Sequence, residues 1–197
     1  MHIVEVDPHD DAGLRAFWDV EQAAMRDYRT RPVLRSFGIL VMLRDPSPYF
    51  RRVLLAARQG GRTVGTADLG CSVGDNEHLA DLEISVHPDR QRRGIGRALF
   101  AAASERLAAA GRTTVVGEAN VPDGIPTEQA SAYAFAGAVG LRSVHVEDHL
   151  ALDLPATPPE RPIADGWEVV TWGARCPDEF AAAYCTMPPD GERRAPR

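Results

Sequence analysis

Lysine is absent from this 197-residue chain, and all 22 of its basic residues are arginine. With 28 acidic residues the formal net charge is −6, which argues against a general nucleic-acid-binding protein because neutralising phosphates requires a positive surface. The missing lysine also excludes a Walker-type nucleotide loop, whose motif needs Gly-Lys followed by Ser or Thr. We therefore expect neither a nucleic-acid partner nor a P-loop nucleotide site.

Long apolar runs and paired cysteines are missing as well. No apolar run reaches the roughly 18 residues of a membrane span, and residues 1–7 lack the basic and apolar regions of a secretion signal. The three cysteines, Cys71, Cys176 and Cys185, are odd in number and widely spaced, so they indicate neither a disulfide framework nor a zinc knuckle. These features favour a cytoplasmic protein with no membrane contact.

What is present predicts a globular α/β (α+β) protein. Apolar residues make up 44% of the chain and charged residues 25%, as in an average soluble domain. The periodicities first predict a strand at 2–6, a helix with its N-cap at Asp10 or Asp11 and a stripe from Leu14 to Tyr28, and a helix within 33–43. They then predict strands at 53–57, 62–71 and 78–86, a helix over 94–110, a strand over 113–118, a helix over 127–139 and a final strand region over 142–154. This order predicts a mixed, mostly antiparallel central sheet flanked by helices.

A proline-rich stretch divides the chain. We expect a main domain over 1–154, a semi-rigid linker over 155–165 and a tail over 166–197. Within the tail, 166–172 resembles a strand and 177–186 a short helix. The tail is too short to bury a core alone, so its apolar residues are expected to dock on the main domain or across a homodimer.

The segment over 81–99 carries the most information. A strand ends at Val86, Pro88 interrupts it, and a basic loop leads into a helix opened by Gly94 and Gly96. The first turn of a helix has N–H groups without acceptors and a positive dipole end, and glycine lets an anion approach the backbone. Positive charge is added by a set of arginines: Arg90, Arg92, Arg93 and Arg97. The segment therefore predicts a pyrophosphate site.

Two other interpretations of this turn fit the sequence less well. A dinucleotide-binding fingerprint requires a third glycine near the position of Leu99. An ordinary glycine-containing helix start does not explain four neighbouring arginines.

The turn resembles that of the GNAT family of acyl-CoA-dependent N-acyltransferases. Gln91, Gly94 and Gly96 match the pattern Gln/Arg-x-x-Gly-x-Gly/Ala, and they follow a strand that ends in Val-x-Pro. Further matches are Val64-Gly65, the strand over 113–118 and the helix end Gly140-Leu141. The resemblance covers about residues 1–154 and implies a GNAT-like sheet.

This resemblance implies acetyl-CoA as co-substrate and no metal. Backbone N–H groups from Arg93 to Arg97 would hold the pyrophosphate, and the backbone of Val86 would bind the pantetheine arm or thioester carbonyl. The strands over 78–86 and 113–118 would separate to form a slot for the acetyl group. The full set of implied coenzyme-binding residues is Val86, Gln91, Arg92, Arg93, Gly94, Ile95, Gly96 and Arg97.

Acetyl transfer to an amine needs a base that takes the amine proton and an acid that protonates the leaving thiolate. Glu83 lies beside the slot, and Glu118 lies where some relatives place a glutamate base; each is equally consistent with a solvated strand-end carboxylate. Many relatives carry an acidic tyrosine four residues before the closing glycine, but that position is Ala136 here. Tyr133, one turn earlier, is either that acid or a packing residue.

His145 and His149 do not predict a metal site, since on a strand they lie roughly 13 Å apart. The tail resembles the start of a second GNAT copy, as in tandem proteins of the mycothiol synthase type. The sequence thus leaves two hypotheses. One is an N-acetyltransferase of small amines that reacts by direct attack on the thioester, and the other is a non-catalytic acetyl-CoA-binding module.

Overall fold

A computed structural model describes residues 1–28, 35–45, 47–122, 124–148, 150, 152–157, 166 and 168–186. It consists of two compact units, residues 1–146 and residues 147–197, and each is described by itself. Among the described residues no helix has the length and apolar character needed to cross a membrane.

The first unit contains nearly all of the regular structure. Its elements are β1 (His2–Glu5), α1 (Asp11–Tyr28), α2 (Phe37–Val41), β2 (Phe50–Gln59), β3 (Arg62–Ser72), β4 (Leu79–Val86), α3 (Ile95–Ala109), β5 (Thr114–Val116) and α4 (Ser131–Ala138). The helix α5 (Asp178–Cys185) belongs to the second unit and confirms the short helix predicted in the tail.

The strands form one sheet in the order β1-β2-β3-β4-β5. Each neighbouring pair is antiparallel except β4 and β5, which run parallel. Helices cover the sheet, so the predicted fold class is confirmed. The tight β2–β3 connection at Gly60 and Gly61 has positive φ at both glycines, as a two-residue type I′ hairpin requires.

Each face of the sheet buries a separate core because alternate strand residues point to opposite faces. On the face covered by α3, Leu69 and Leu82 pack with Leu99 and Leu107 in one cluster. We call this the α3 face. The opposite face, which we call the α1 face, packs Leu54 against α1 and α2.

The final strand predicted over 142–154 is wrong, because the described residues of this range adopt no regular secondary structure. Their alternating apolar side chains are exposed: Val144, Val146, Leu150, Leu152 and Leu154. Alternation alone does not make a strand, since a strand also requires a neighbour that accepts its backbone hydrogen bonds.

The described part of the strand predicted over 166–172 is irregular too. In that unit Trp172 instead stacks on Phe180 with ring centroids 6.2 Å apart.

Candidate coenzyme turn and acceptor face

The turn between β4 and α3 presents backbone N–H groups to solvent. A short 3-10 turn at Pro88–Arg90 follows β4, and Gly94 caps α3 with φ 80°. The first intrahelical hydrogen bond runs from Ala98 N–H to the Gly94 carbonyl at 3.0 Å. The preceding N–H groups therefore have no acceptor within the helix. Arg92 has φ 59°, an uncommon conformation for a residue with a side chain.

The side chains of this turn divide into an exposed and a buried set. Arg92, Arg93 and Arg97 are exposed, whereas Arg90 and Gln91 are half-buried. Ile95 is 2% exposed and belongs to the core of the α3 face, so only its backbone is available to a ligand. The exposed guanidiniums and the N–H groups form one positive surface in an acidic protein.

Different structural constraints favour glycine at Gly94 and at Gly96. A Cβ on Gly94 would meet nothing within 4 Å, so the positive φ is what favours glycine there. A Cβ on Gly96 would lie 3.2 Å from Cε2 of Phe135 and 3.7 Å from Cγ2 of Val86. Gly96 thus admits the Phe135 ring of α4, a reason that the sequence does not reveal.

Strands β4 and β5 separate beside the turn. They pair only from Leu79↔Thr114 to Asp81↔Val116, while β4 continues to Val86. His87 N–H bonds the Val64 carbonyl of β3 at 3.1 Å. Because alternate residues of a ladder direct their backbone groups to opposite neighbours, the N–H and C=O of Val86 and Ile84 point toward the edge that β5 has left. This edge is an open backbone slot.

Glu83 projects to the α1 face beside that slot. Its Oε2 accepts a hydrogen bond from Nη2 of Arg35 at 2.9 Å, and its side chain is 60% exposed. Arg35 lies just before α2, and its backbone carbonyl accepts hydrogen bonds from Trp18 Nε1 at 2.8 Å and Gln22 Nε2 at 3.2 Å. The helices thus hold this arginine against the sheet.

Two further carboxylates complete what we call the acidic cluster, Glu21, Asp68 and Glu83. Nη1 of Arg35 lies 2.7 Å from Asp68 Oδ2 and 3.4 Å from Glu21 Oε1. Nε of Arg52 lies 2.8 Å from Asp68 Oδ1 as an ion pair, without the alignment of a hydrogen bond. The three carboxylates offer oxygen atoms within 4.8 Å of one another. Arg35 contacts all three carboxylates, so its guanidinium already occupies the centre of the cluster.

Burial changes the ionisation of this cluster. It raises the pKa of Glu21 from 4.5 to about 7, an effect that Arg35 opposes and that Asp68 and Glu83 reinforce. Burial also disfavours the charged form of Arg35, but Glu21, Asp68 and Glu83 more than offset this and raise its pKa. Glu21 is therefore a group that exchanges its proton near neutral pH.

Sequence reasoning missed Glu21 and Asp68, although each left a signal. Glu21 is the polar member of the otherwise apolar stripe of α1, and it is 9% exposed. Asp68 interrupts the buried run of β3 and is 3% exposed. A buried carboxylate requires a charged partner, but sequence alone does not identify Arg35 as that partner.

The other proposed catalytic residues lie apart from this cluster. Glu118 is exposed and follows β5 by two residues, in an irregular segment. Tyr133 is 37% exposed on α4. It is two positions from Phe135, and residues two apart do not share a helix face. Within the described part of the chain, no hydrogen bond or ion pair links Glu118 or Tyr133 to Glu83. His149 lies outside the described residues.

Comparison with known proteins adds to this geometry. Residues 50–135 match the model of the acetyltransferase (GNAT) domain. No curated protein matches the sequence. Among solved structures, a tandem GNAT protein from the clavulanic acid biosynthesis pathway, without acetyl-CoA, is 29% identical with a TM-score of 0.66. The match covers 93% of this chain and 58% of that protein, so this chain spans little more than half its length.

Aminoglycoside acetyltransferases share the fold at lower identity. One from an uncultured soil metagenomic sample, in complex with sisomicin, is 17% identical with a TM-score of 0.57, covering 78% of this chain and 95% of its own. AAC(6′)-Iy, in complex with a CoA bisubstrate analogue, is 16% identical with a TM-score of 0.52. That match covers 77% of this chain and 97% of AAC(6′)-Iy. At these identities the similarity establishes the fold.

Proposed function

We propose that this chain, which belongs to the GNAT family of acetyltransferases, transfers an acetyl group from acetyl-CoA to the amine of a small molecule by direct attack on the thioester. The observation that carries the proposal is the continuity of two features. The cationic turn before α3 adjoins the strand edge that β5 leaves open. A diphosphate bound at the turn and an extended arm along the edge would together match the shape and charge of the coenzyme.

In this proposal the chain binds acetyl-CoA through three kinds of group. N–H groups from Arg93 to Arg97 hold the pyrophosphate, at the positive end of the α3 dipole. The exposed guanidiniums of Arg92, Arg93 and Arg97 add charge pairs, and Gln91 lies at the start of the turn. The backbone of Val86 binds the arm in the manner of an added strand.

The transfer step requires little beyond positioning and proton movement. The lone pair of a neutral amine forms the N–C bond at the thioester carbonyl, the C–S bond breaks, and the electron pair leaves with the CoA sulfur. The amine proton passes to a carboxylate, for which Glu83 and Glu118 are the candidates. The sulfur then takes a proton from an acid, for which Tyr133 is the candidate.

Two observations favour a second candidate function, that of a non-catalytic acetyl-CoA-binding module. The position that holds the acidic tyrosine in many relatives is Ala136, and Glu83 is engaged by Arg35. An assay of free CoA released over a panel of small amines separates the two functions. Amine-dependent release above the hydrolysis background supports the transferase. Tight acetyl-CoA binding without release on any amine supports the module.

A further inference from the structure

Arg35 is held in place at both its backbone and its side chain. Its backbone carbonyl accepts hydrogen bonds from Trp18 Nε1 at 2.8 Å and from Gln22 Nε2 at 3.2 Å, two side chains of α1. Its Nη1 donates a hydrogen bond at 2.7 Å to Oδ2 of Asp68, whose side chain is 2% exposed. Hydrogen bonds between charged groups are among the strongest in proteins. The Arg35 guanidinium therefore has a fixed position against the sheet.

The same guanidinium orients Glu83. Nη2 donates a hydrogen bond to Glu83 Oε2 at 2.9 Å, while Nη1 holds Asp68. Asp68 and Glu83 are direct partners in the register of β3 and β4, so their side chains lie on one face and a planar guanidinium can bridge them. An exposed glutamate ordinarily samples several rotamers, but Glu83 is restrained by this bridge although its side chain is 60% exposed. The buried Asp68 thus determines, through Arg35, where the exposed carboxylate lies.

The contact with Arg35 leaves one oxygen of Glu83 available for a proton. Arg35 contacts Oε2, and no hydrogen bond or ion pair within the described part of the chain involves Oε1. Glu83 also lies on the part of β4 that β5 has left, since the pairing of the two strands ends at Asp81. Glu118, the other candidate base, is exposed in an irregular segment after β5. Glu83 is thus the candidate whose orientation is set by a fixed partner.

We propose that Arg35 is a positioning residue, which sets the orientation in which Glu83 acts as the base. This rests on the acetyl transfer proposed above. As a neutral amine forms its N–C bond with the thioester carbonyl, its N–H becomes strongly acidic, and the proton passes to Oε1 of Glu83. The C–S bond breaks, its electron pair leaves with the CoA sulfur, and the sulfur takes a proton from an acid, for which Tyr133 remains the candidate. Because the reacting nitrogen is so acidic at this point, a carboxylate that keeps its pair with Arg35 suffices as the base.

A kinetic double-mutant cycle tests this role, with acetyl-CoA as donor and the fastest-reacting of butylamine, ethanolamine, 1,4-diaminobutane and spermidine as acceptor. Glu83→Gln removes the base and should lower kcat at least about 100-fold. Arg35→Lys keeps the charge but loses the fork that bridges two carboxylates, so kcat should fall at least about tenfold while the KM for acetyl-CoA stays within about threefold. In the Glu83→Gln background, Arg35→Lys should lower kcat by less than about twofold, because a positioning residue has no effect without the group that it positions.

Arg106→Lys is the matched control, because Arg106 of α3 pairs with Glu5 of β1 at the far edge of the sheet from β5. It should leave kcat unchanged. Trp18→Phe serves where Arg35→Lys does not fold, since it removes one donor to the Arg35 carbonyl and keeps an aromatic ring. It should lower kcat in the wild-type chain and leave kcat unchanged in Glu83→Gln.

A loss of kcat from Arg35→Lys that is equal in both backgrounds overturns the proposal, and so does a folded Arg35→Lys variant with the kcat of wild type. Near-normal release by Glu83→Gln, with loss of release in Glu118→Gln, also overturns it but supports acetyl transfer. Absence of amine-dependent release from the wild-type chain contradicts acetyl transfer itself, and the role of Arg35 then falls with it.

Discussion

Burial raises the pKa of Glu21, and this shift predicts a pH dependence of stability. Its pKa is about 7 in the folded chain against 4.5 ordinarily. Below pH 4.5 both folded and unfolded chains carry the proton, so this group costs no stability. Between pH 4.5 and 7 only the unfolded chain loses it, and the unfolding free energy falls by about 3 kcal/mol, then stays level.

Glu21→Gln should remove this dependence. Urea unfolding at pH 5 and pH 8 should show the variant gaining roughly 2–3 kcal/mol relative to wild type as the pH rises. Any hydrogen bond lost in the variant shifts both measurements equally and cancels. The unfolding free energy of Glu105→Gln, a variant on the exposed side of α3, should change between the two pH values by the same amount as that of wild type. Parallel behaviour of Glu21→Gln would contradict the burial and pairing assigned to this carboxylate.

The two glycines of the turn should respond differently to alanine, because their constraints differ. Gly94→Ala strains a backbone at φ 80° and should cost about 1–2 kcal/mol in any background. Gly96→Ala meets the Phe135 ring, so its cost should fall by roughly 0.5–1 kcal/mol when Phe135 is replaced by leucine. Unfolding measurements on the three single variants and on the two double variants that combine each glycine substitution with Phe135→Leu test this. If the effects of Gly96→Ala and Phe135→Leu on the unfolding free energy simply add, the Phe135 ring is not what excludes a Cβ at Gly96.

At the scale of elements, the packing of α3 on β3 places the coenzyme turn. A Cβ on Gly65 would lie 2.7 Å from Ile95 Cγ2, 3.0 Å from Leu99 Cδ1 and 3.3 Å from the Ser85 carbonyl. Gly65→Ala should therefore displace α3, cost about 1–3 kcal/mol of stability and weaken acetyl-CoA binding. Gly137→Ala is the matched control, since nothing lies within 4 Å and φ is not positive. Equal effects on coenzyme binding would contradict this role of Gly65.

The elements also show what sequence could and could not predict. The β4–turn–α3 segment was predictable because its glycines, proline and helix periodicity lie within twenty residues and all favour one local structure. The segment over 142–154 was not, because its alternation fits a strand while pairing depends on a neighbour elsewhere. The acidic cluster was equally out of reach, since Glu21, Asp68 and Glu83 come together only through the register of β3 and β4 beneath α1.

At the scale of the whole molecule, every group assigned to coenzyme and acceptor lies in the unit over residues 1–146. A chain ending at residue 155 should therefore keep acetyl-CoA affinity within about threefold of the full chain. Calorimetry and thermal melts on the two lengths test this. Loss of coenzyme binding in a folded short chain would show that the second unit contributes to the site.

The central claim is that acetyl-CoA binds at the turn before α3. Its most direct test is calorimetric titration of acetyl-CoA into the wild-type chain and into Gly94→Asp, with circular dichroism to establish that both are folded. Aspartate would place a carboxylate among the N–H groups and guanidiniums that are to hold the pyrophosphate, opposing the ligand by charge. The account predicts saturable binding to wild type, a ligand-dependent rise in its melting temperature, and neither in the variant. Absence of binding to wild type, or equal binding to a folded Gly94→Asp, would contradict it.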